Sequence, residues 1–197
     1  QGVFGFPTGI VVLLVFIFIV FGALLEGTGA GEVMIRMALA LTSRTRGGPA
    51  HSAIIASSLF GMSSGSVTAN VVGTGAVTIP LIKRRGFPGS FAGGVEAAAS
   101  TGGQLMPPVM GAAAFLMTNL AGVSYQVICI AALLPALLYY GSLFLATSQE
   151  AKRLGLKPFA PEERPRMQPG DGLKSLMFFL PLVAIISTLA FGRSPSM

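Results

Sequence analysis

Hydrophobic positions along this chain fall in long runs, separated by short clusters of glycine, proline and charge. The first run is residues 7–25, PTGIVVLLVFIFIVFGALL. About 19 residues make a helix of roughly 28 Å, enough to cross a bilayer. Glu26, Gly27, Gly29 and Gly31 then interrupt it. Residues 32–43, EVMIRMALALTS, are too short to cross. Val33, Met34, Met37, Ala38 and Leu41 share one helical face, while Glu32 and Arg36 pair at i, i+4 on another. This pattern predicts a helix lying at the membrane interface. Its alternative is an extension of the first helix past the glycines.

Residues 49–82, PAHSAIIASSLFGMSSGSVTANVVGTGAVTIPLI, fit no single crossing. One helix of that length would run about 51 Å, and two crossings would need roughly 40 residues. The small polar segment Ser63-Ser64-Gly65-Ser66 interrupts the middle. Arg44 and Arg46 precede the stretch and Lys83, Arg84 and Arg85 follow it, so both ends belong on the cytoplasmic side. A re-entrant helical hairpin, with its tip at mid-membrane, meets these conditions. Such backbone is tolerated only where protein or a cavity surrounds it.

Residues 88–120 read PGSFAGGVEAAASTGGQLMPPVMGAAAFLMTNL. Both ends suit a helix, but Gly102 to Pro108 does not. Pro108 lacks a donor and pushes Pro107 away from the α region, and Gly102 and Gly103 add freedom upstream. The prediction is a discontinuous transmembrane helix. Residues 123–147 form the next span, 149–172 a proline-rich cytoplasmic loop, and 173–197 a final transmembrane helix with the end of the chain. The loop holds nine of the twenty charged residues, and returning Lys152, Arg153 and Lys157 to the cytoplasm requires the broken helix to cross outward. Residues 1–148 thus read as one membrane domain of an all-α integral membrane protein.

Composition sharpens this picture. Of 197 residues, 52% are hydrophobic and 10% charged, against about 25% charged in a soluble domain. No Asp, Glu, Lys or Arg occurs in residues 47–82, and Glu96 is the only one between Gly86 and Gln149. The net charge of +6 sits in short loop clusters, the pattern of membrane orientation and not of nucleic-acid binding. Cys129 lies inside an apolar run and reads as a small core residue. The chain begins without a basic leader and is expected to be an excerpt of a longer polypeptide.

Candidate chemistry gathers at the two interruptions. Unwound backbone at membrane depth leaves N–H and C=O groups that something must satisfy. Free carbonyls and helix C-termini suit a dehydrated cation such as Na⁺, and helix N-termini suit a carboxylate. Hydroxyls of Ser63, Ser64, Ser66, Thr68, Thr74, Ser100 and Thr101 add oxygen ligands, and the amides of Asn70 and Gln104 both donate and accept. The competing reading is that small residues merely let helices pack closely. Glu96, two turns before the break, is a possible ion or proton site, or a partner of an arginine or backbone donor elsewhere. His51, the single histidine, fits a helix start better than a proton relay. No cluster of ligands suggests a transition metal, no nucleophile–base pair suggests an enzyme, and no phosphate loop supports ATP hydrolysis.

The blocks GGPAHSAIIASSLFGMSSGSVTANVVGTGAVTIPLIKRRGF (47–87) and FAGGVEAAASTGGQLMPPVMGAAAF (91–115) resemble the large permease subunit of TRAP transporters. The second block is similar to the branch whose small and large membrane subunits are fused, often paired with TAXI-type binding proteins; ALLYYGSLFLATSQEAKRLGLK (137–157) also fits. The resemblance implies one half of an inverted-repeat elevator transporter, the N-terminal repeat, in a bacterial or archaeal cytoplasmic membrane. It implies Na⁺ as coupling ion, no other cofactor, an organic acid as substrate, and a periplasmic substrate-binding protein and small membrane subunit as partners. SSGSVTAN (63–70) matches the hairpin tip and STGGQ (100–104) the break. Na⁺ ligands are expected at Ser63, Ser64, Gly65, Asn70, Thr101, Gly102 and Gly103, and substrate contacts at Ser66, Thr68, Gln104 and Pro107. The alternatives are a dicarboxylate or other anion carrier that needs no binding protein, and a membrane anchor that transports nothing.

Overall fold

The computed structural model describes residues 9, 12, 16, 20, 27, 29–160, 162, 168 and 170–190. Every regular element among the described residues is an α-helix: α1 (Ala30–Thr42), α2 (Gly48–Ser64), α3 (Val67–Arg84), α4 (Gly89–Gly102), α5 (Ala112–Ala121), α6 (Tyr125–Arg153) and α7 (Asp171–Ala190). The span predicted at 7–25 lies outside the described residues, save for Gly9, Val12, Phe16 and Val20. Among the described residues, two helices, α6 and Asp171–Thr188 of α7, are long and apolar enough to cross a membrane.

Helix α2 is the centre of the bundle. Ala50, Ala53, Ile54, Ala56 and Phe60 are buried, as are its polar residues His51, Ser52, Ser57, Ser63 and Ser64. It packs on α1, α3, α4 and α6. A helix enclosed on every side shows no amphipathic stripe, and its many alanines and serines allow that close approach. Ala92, Val95 and Ala99 of α4 and Tyr140 of α6 join it in the main core.

Helix α1 packs Val33 and Met34 against Phe178 and Leu182 of α7. Ile35, Ala38 and Leu39 pack with Ala56 of α2. The buried stripe is therefore wider than the predicted face, and Leu41, assigned to that face, is 72% exposed. Glu32 and Arg36 do pair, at 3.6 Å. Arg36 also donates two hydrogen bonds to Asp171 at the start of α7, at 2.7 and 3.2 Å. Such a bidentate pair fixes orientation as well as energy.

Helix α6 runs six residues past the predicted span, to Arg153, where Lys152 and Arg153 suit the negative end of the helix dipole. His51 anchors the lower end of the bundle. Its ring stacks on Phe144 of α6 at 3.8 Å, and its two nitrogens meet the hydroxyls of Thr45 (2.7 Å) and Ser148 (2.9 Å). Both ring nitrogens are thereby satisfied within the fold.

Candidate functional site

Two non-helical segments interrupt the bundle, and they meet. Helix α2 stops at Ser64 because Gly65 adopts a left-handed conformation, φ 61°. That region is open to glycine at little steric penalty. Its N–H closes on the Gly61 carbonyl at 2.8 Å. Ser66 is extended and accepts a hydrogen bond from the Ala69 N–H at 3.3 Å, which caps the start of α3. The chain thus reverses within two residues, and α2 and α3 pack side by side.

Helix α4 stops at Gly102 and the chain resumes as α5 at Ala112. Between them the backbone tightens into turns, with Gly103, Gln104, Leu105 and Met106 each donating to the residue three positions back. The Gly111 N–H donates to the Gln104 carbonyl at 2.9 Å and closes the loop. Gly111 brings no side chain to cap the first turn of α5.

The contact between the two segments is backbone against backbone. A methyl group placed on Gly61 would stand 2.5 Å from the Cα of Gly103, and one on Gly103 would stand 2.6 Å from the Cα of Gly61. A methyl on Gly65 would stand 2.1 Å from the Met110 carbonyl oxygen. The Val109 N–H donates to the Met62 carbonyl at 3.3 Å, so the break satisfies one of the last carbonyls of α2. From the far side, the Tyr125 hydroxyl reaches the carbonyls of Pro108 (2.9 Å) and Val109 (2.5 Å).

The expected ligand positions divide in the structure. Ser63, Ser64, Gly65 and Ser66 form the reversal itself, and Asn70 is fully buried one turn into α3. The Asn70 amide donates to the Ser57 carbonyl at 2.8 Å and so ties α3 back to α2 beside Gly61. Gly103 faces the hairpin, but its neighbour Gly102 faces α6. A methyl on Gly102 would lie 2.6 to 2.8 Å from the rings of Tyr139 and Tyr140. Those rings are held by hydroxyl bonds to the carbonyls of Ala98 and Ala99, at 2.8 and 2.9 Å. Thr101 is exposed and its hydroxyl donates to Ala97 of its own helix at 2.7 Å. Thr68 and Gln104 are exposed, and Pro107 is half-buried.

A second polar cluster lies about two turns from the break. Glu96 of α4 is fully buried. Ser57 of α2 donates to it at 2.9 Å, Ser100 of α4 lies at 3.4 Å, and Thr74 and Thr78 of α3 also donate to its carboxylate. Ser57 and Thr78 are absent from the residues singled out in the sequence. A signal existed: Asn70, Thr74 and Thr78 recur every four residues, which places a polar stripe on an otherwise apolar helix.

The family model described as the tripartite ATP-independent periplasmic transporter, DctM component, matches residues 5–196. The uncharacterized protein y4mL of Sinorhizobium fredii is 31% identical over 175 residues, covering 89% of this chain and 41% of that protein. The C4-dicarboxylate TRAP transporter large permease protein DctM of Rhodobacter capsulatus is 32% identical over 150 residues, covering 70% of this chain and 34% of the relative. The sialic acid TRAP transporter permease protein SiaT of Haemophilus influenzae is 31% identical over 138 residues, covering 70% and 22%. The chain therefore spans well under half the length of these curated relatives.

Proposed function

The chain belongs to the DctM family of tripartite ATP-independent periplasmic transporters, and from that premise we propose that it forms part of a cation-coupled permease importing an organic acid. In this reading α2 and α3 are a re-entrant hairpin, and α4 and α5 are the halves of one discontinuous transmembrane helix. The observation that carries it is the meeting of Gly61 with Gly103 and of Gly65 with Met110. Four helix ends converge there: the C-termini of α2 and α4 and the N-termini of α3 and α5.

Helix C-termini attract a cation, and backbone carbonyls supply oxygen ligands without a buried counter-charge. Carbonyls that already accept one hydrogen bond keep a second lone pair. Na⁺ is held among Ser63, Ser64, Gly65 and Asn70 on the hairpin and Thr101, Gly102 and Gly103 on α4. With the cation in place, Ser66, Thr68, Gln104 and Pro107 frame the position of a substrate carboxylate beside the uncapped start of α5. Two relatives are named for C4-dicarboxylate and sialic acid, and both substrates are organic acids.

The loaded hairpin and broken helix then move as a unit against the remaining helices, in an elevator step. Each net positive charge carried inward gains about 2.3 kcal/mol per 100 mV of membrane potential. The partners are a periplasmic binding protein and a small membrane subunit, fused to the permease in the branch of the family with TAXI-type binding proteins. The test is uptake of labelled organic acid by the intact transporter in proteoliposomes, with its binding protein outside. Uptake should rise with an inward Na⁺ gradient; uptake that ignores the gradient would reject the Na⁺ coupling.

A further inference from the structure

We propose that Tyr125 is a positioning residue for the cation site, whose hydroxyl braces the break between α4 and α5 from the side opposite the hairpin. The proposal rests on the transporter reading above and deepens it, because it names a residue that shapes the site without touching the ion. Its basis is the backbone from Pro108 to Met110, which is held from two sides.

On the hairpin side, the Val109 N–H donates to the Met62 carbonyl at 3.3 Å. The Met110 carbonyl oxygen sits against Gly65, 2.1 Å from where a methyl group on that glycine would stand. On the other side stands the first residue of α6. The Tyr125 hydroxyl lies 2.9 Å from the Pro108 carbonyl oxygen and 2.5 Å from that of Val109. A phenol carries one proton, so the two carbonyls share it. Cys129, four residues on along the same face of α6, turns its weak thiol donor to the Pro108 carbonyl at 3.8 Å.

Met110 explains what the brace is for. Its φ is 58°, the only positive value outside glycine among the described residues. The methionine Cβ disfavours that region, and such a conformation persists only where the surroundings hold it. Rotation about φ of Met110 turns the peptide plane between Val109 and Met110. The oxygen of that plane is the one to which Tyr125 donates at 2.5 Å. The hydroxyl therefore restrains the torsion that is strained. If the torsion relaxed, the Met62 bond and the seat of the Met110 carbonyl on Gly65 would be lost together. The phenol ring is itself fixed: it is 4% exposed and stacks on Phe115 of α5 at 4.8 Å, with the two planes 6° apart.

The experiment measures uptake of labelled organic acid by the intact transporter with its binding protein, across external Na⁺ concentrations, beside thermal unfolding without Na⁺. Tyr125→Phe keeps the ring and its stack and loses only the hydroxyl. Its half-saturating Na⁺ should rise about fivefold, the factor that one hydrogen bond carries. Maximal uptake per folded transporter should stay near the wild-type value. If Tyr125→Phe is not recovered folded, Phe115→Leu decides. It removes the ring on which Tyr125 stacks and keeps the hydroxyl, so half-saturating Na⁺ should rise by a smaller factor. A variant that unfolds at a lower temperature or transports less at saturating Na⁺, with its half-saturation unmoved, overturns the proposal, because Tyr125 would then serve stability alone. A wild type whose uptake ignores Na⁺ would reject the cation reading and the brace with it. A wild type that responds to Na⁺, beside an unmoved Tyr125→Phe, rejects the brace alone.

Discussion

Beside the apolar core they share, the hairpin and α4 meet at two further contacts, built from opposite materials. At the tip, Gly61 and Gly103 press backbone on backbone, with no side chain between them. About two turns away, five side chains make the contact: Glu96 with Ser57, Thr74, Thr78 and Ser100. Backbone against backbone leaves no space for an added atom, so the tip is a close joint at which peptide groups of both segments meet. Hydroxyls rotate, so the lower contact can exchange partners without moving a helix. A close backbone joint suits a site that gathers carbonyls around a dehydrated ion, and the hydroxyl cluster instead ties α2 and α3 to α4 around one buried carboxyl group.

The largest effects should come from breaking the close joint. Gly103→Ala or Gly61→Ala forces a methyl group into facing backbone at 2.5 to 2.6 Å. Overpacking of this kind costs about 1–3 kcal/mol, and separating the segments should abolish Na⁺-stimulated uptake. Thermal unfolding in detergent and uptake in proteoliposomes read the two effects separately. Asn70→Ala should rank next. It removes the bridge between the two contacts, a buried hydrogen bond to the Ser57 carbonyl worth about 0.5–1.5 kcal/mol. Its transport should fall, with a weaker dependence on Na⁺.

His51→Ala sharpens the comparison from outside both contacts. The ring ties α2 to α6 through Ser148 and Phe144, so its loss should lower the unfolding temperature. The dependence of uptake on Na⁺ should keep the wild-type midpoint; a moved midpoint would tie His51 to the cation site. Gly93→Ala should matter least. No atom lies within 4 Å of a methyl group at that position in α4. The change should be neutral or stabilising by up to about 1 kcal/mol, through the smaller entropy of the unfolded chain. Destabilisation as large as that of Gly103→Ala would mean that glycine content, and not the specific joint, is what α4 needs.

The sequence made the interruptions legible because their chemistry is local. Glycine and serine at 63–66 and the paired glycines and prolines at 102–108 disfavour a helix wherever they occur. The non-helical segment between α4 and α5 runs from Gly103 to Gly111, so it takes in Gly103 to Pro108 of the predicted stretch and leaves Gly102 in α4. Gly61 was not legible, since a lone glycine in an apolar helix reads only as close packing, and its partner, Gly103, is 42 residues away in the chain. The opposite facing of Gly102 and Gly103 was equally hidden. It depends on the helix rotation that docking of α6 imposes. Glu96 stood out as a solitary charge, but its donors come from three helices, and only the spacing of Asn70, Thr74 and Thr78 hinted at them. On α1 the predicted face missed Ile35 and Leu39 because the helix is buried against two partners at once, α2 and α7.

The central claim is that the meeting of the hairpin tip and the α4 break binds a cation. Thermal unfolding of the purified transporter in Na⁺, against an equal concentration of a large organic cation, tests this directly. At a hundred times its dissociation constant, Na⁺ should stabilise the wild type by about 2.7 kcal/mol, and this gain should vanish in Gly103→Ala. An unfolding temperature indifferent to Na⁺, or a Na⁺ gain undiminished in Gly103→Ala, would contradict it.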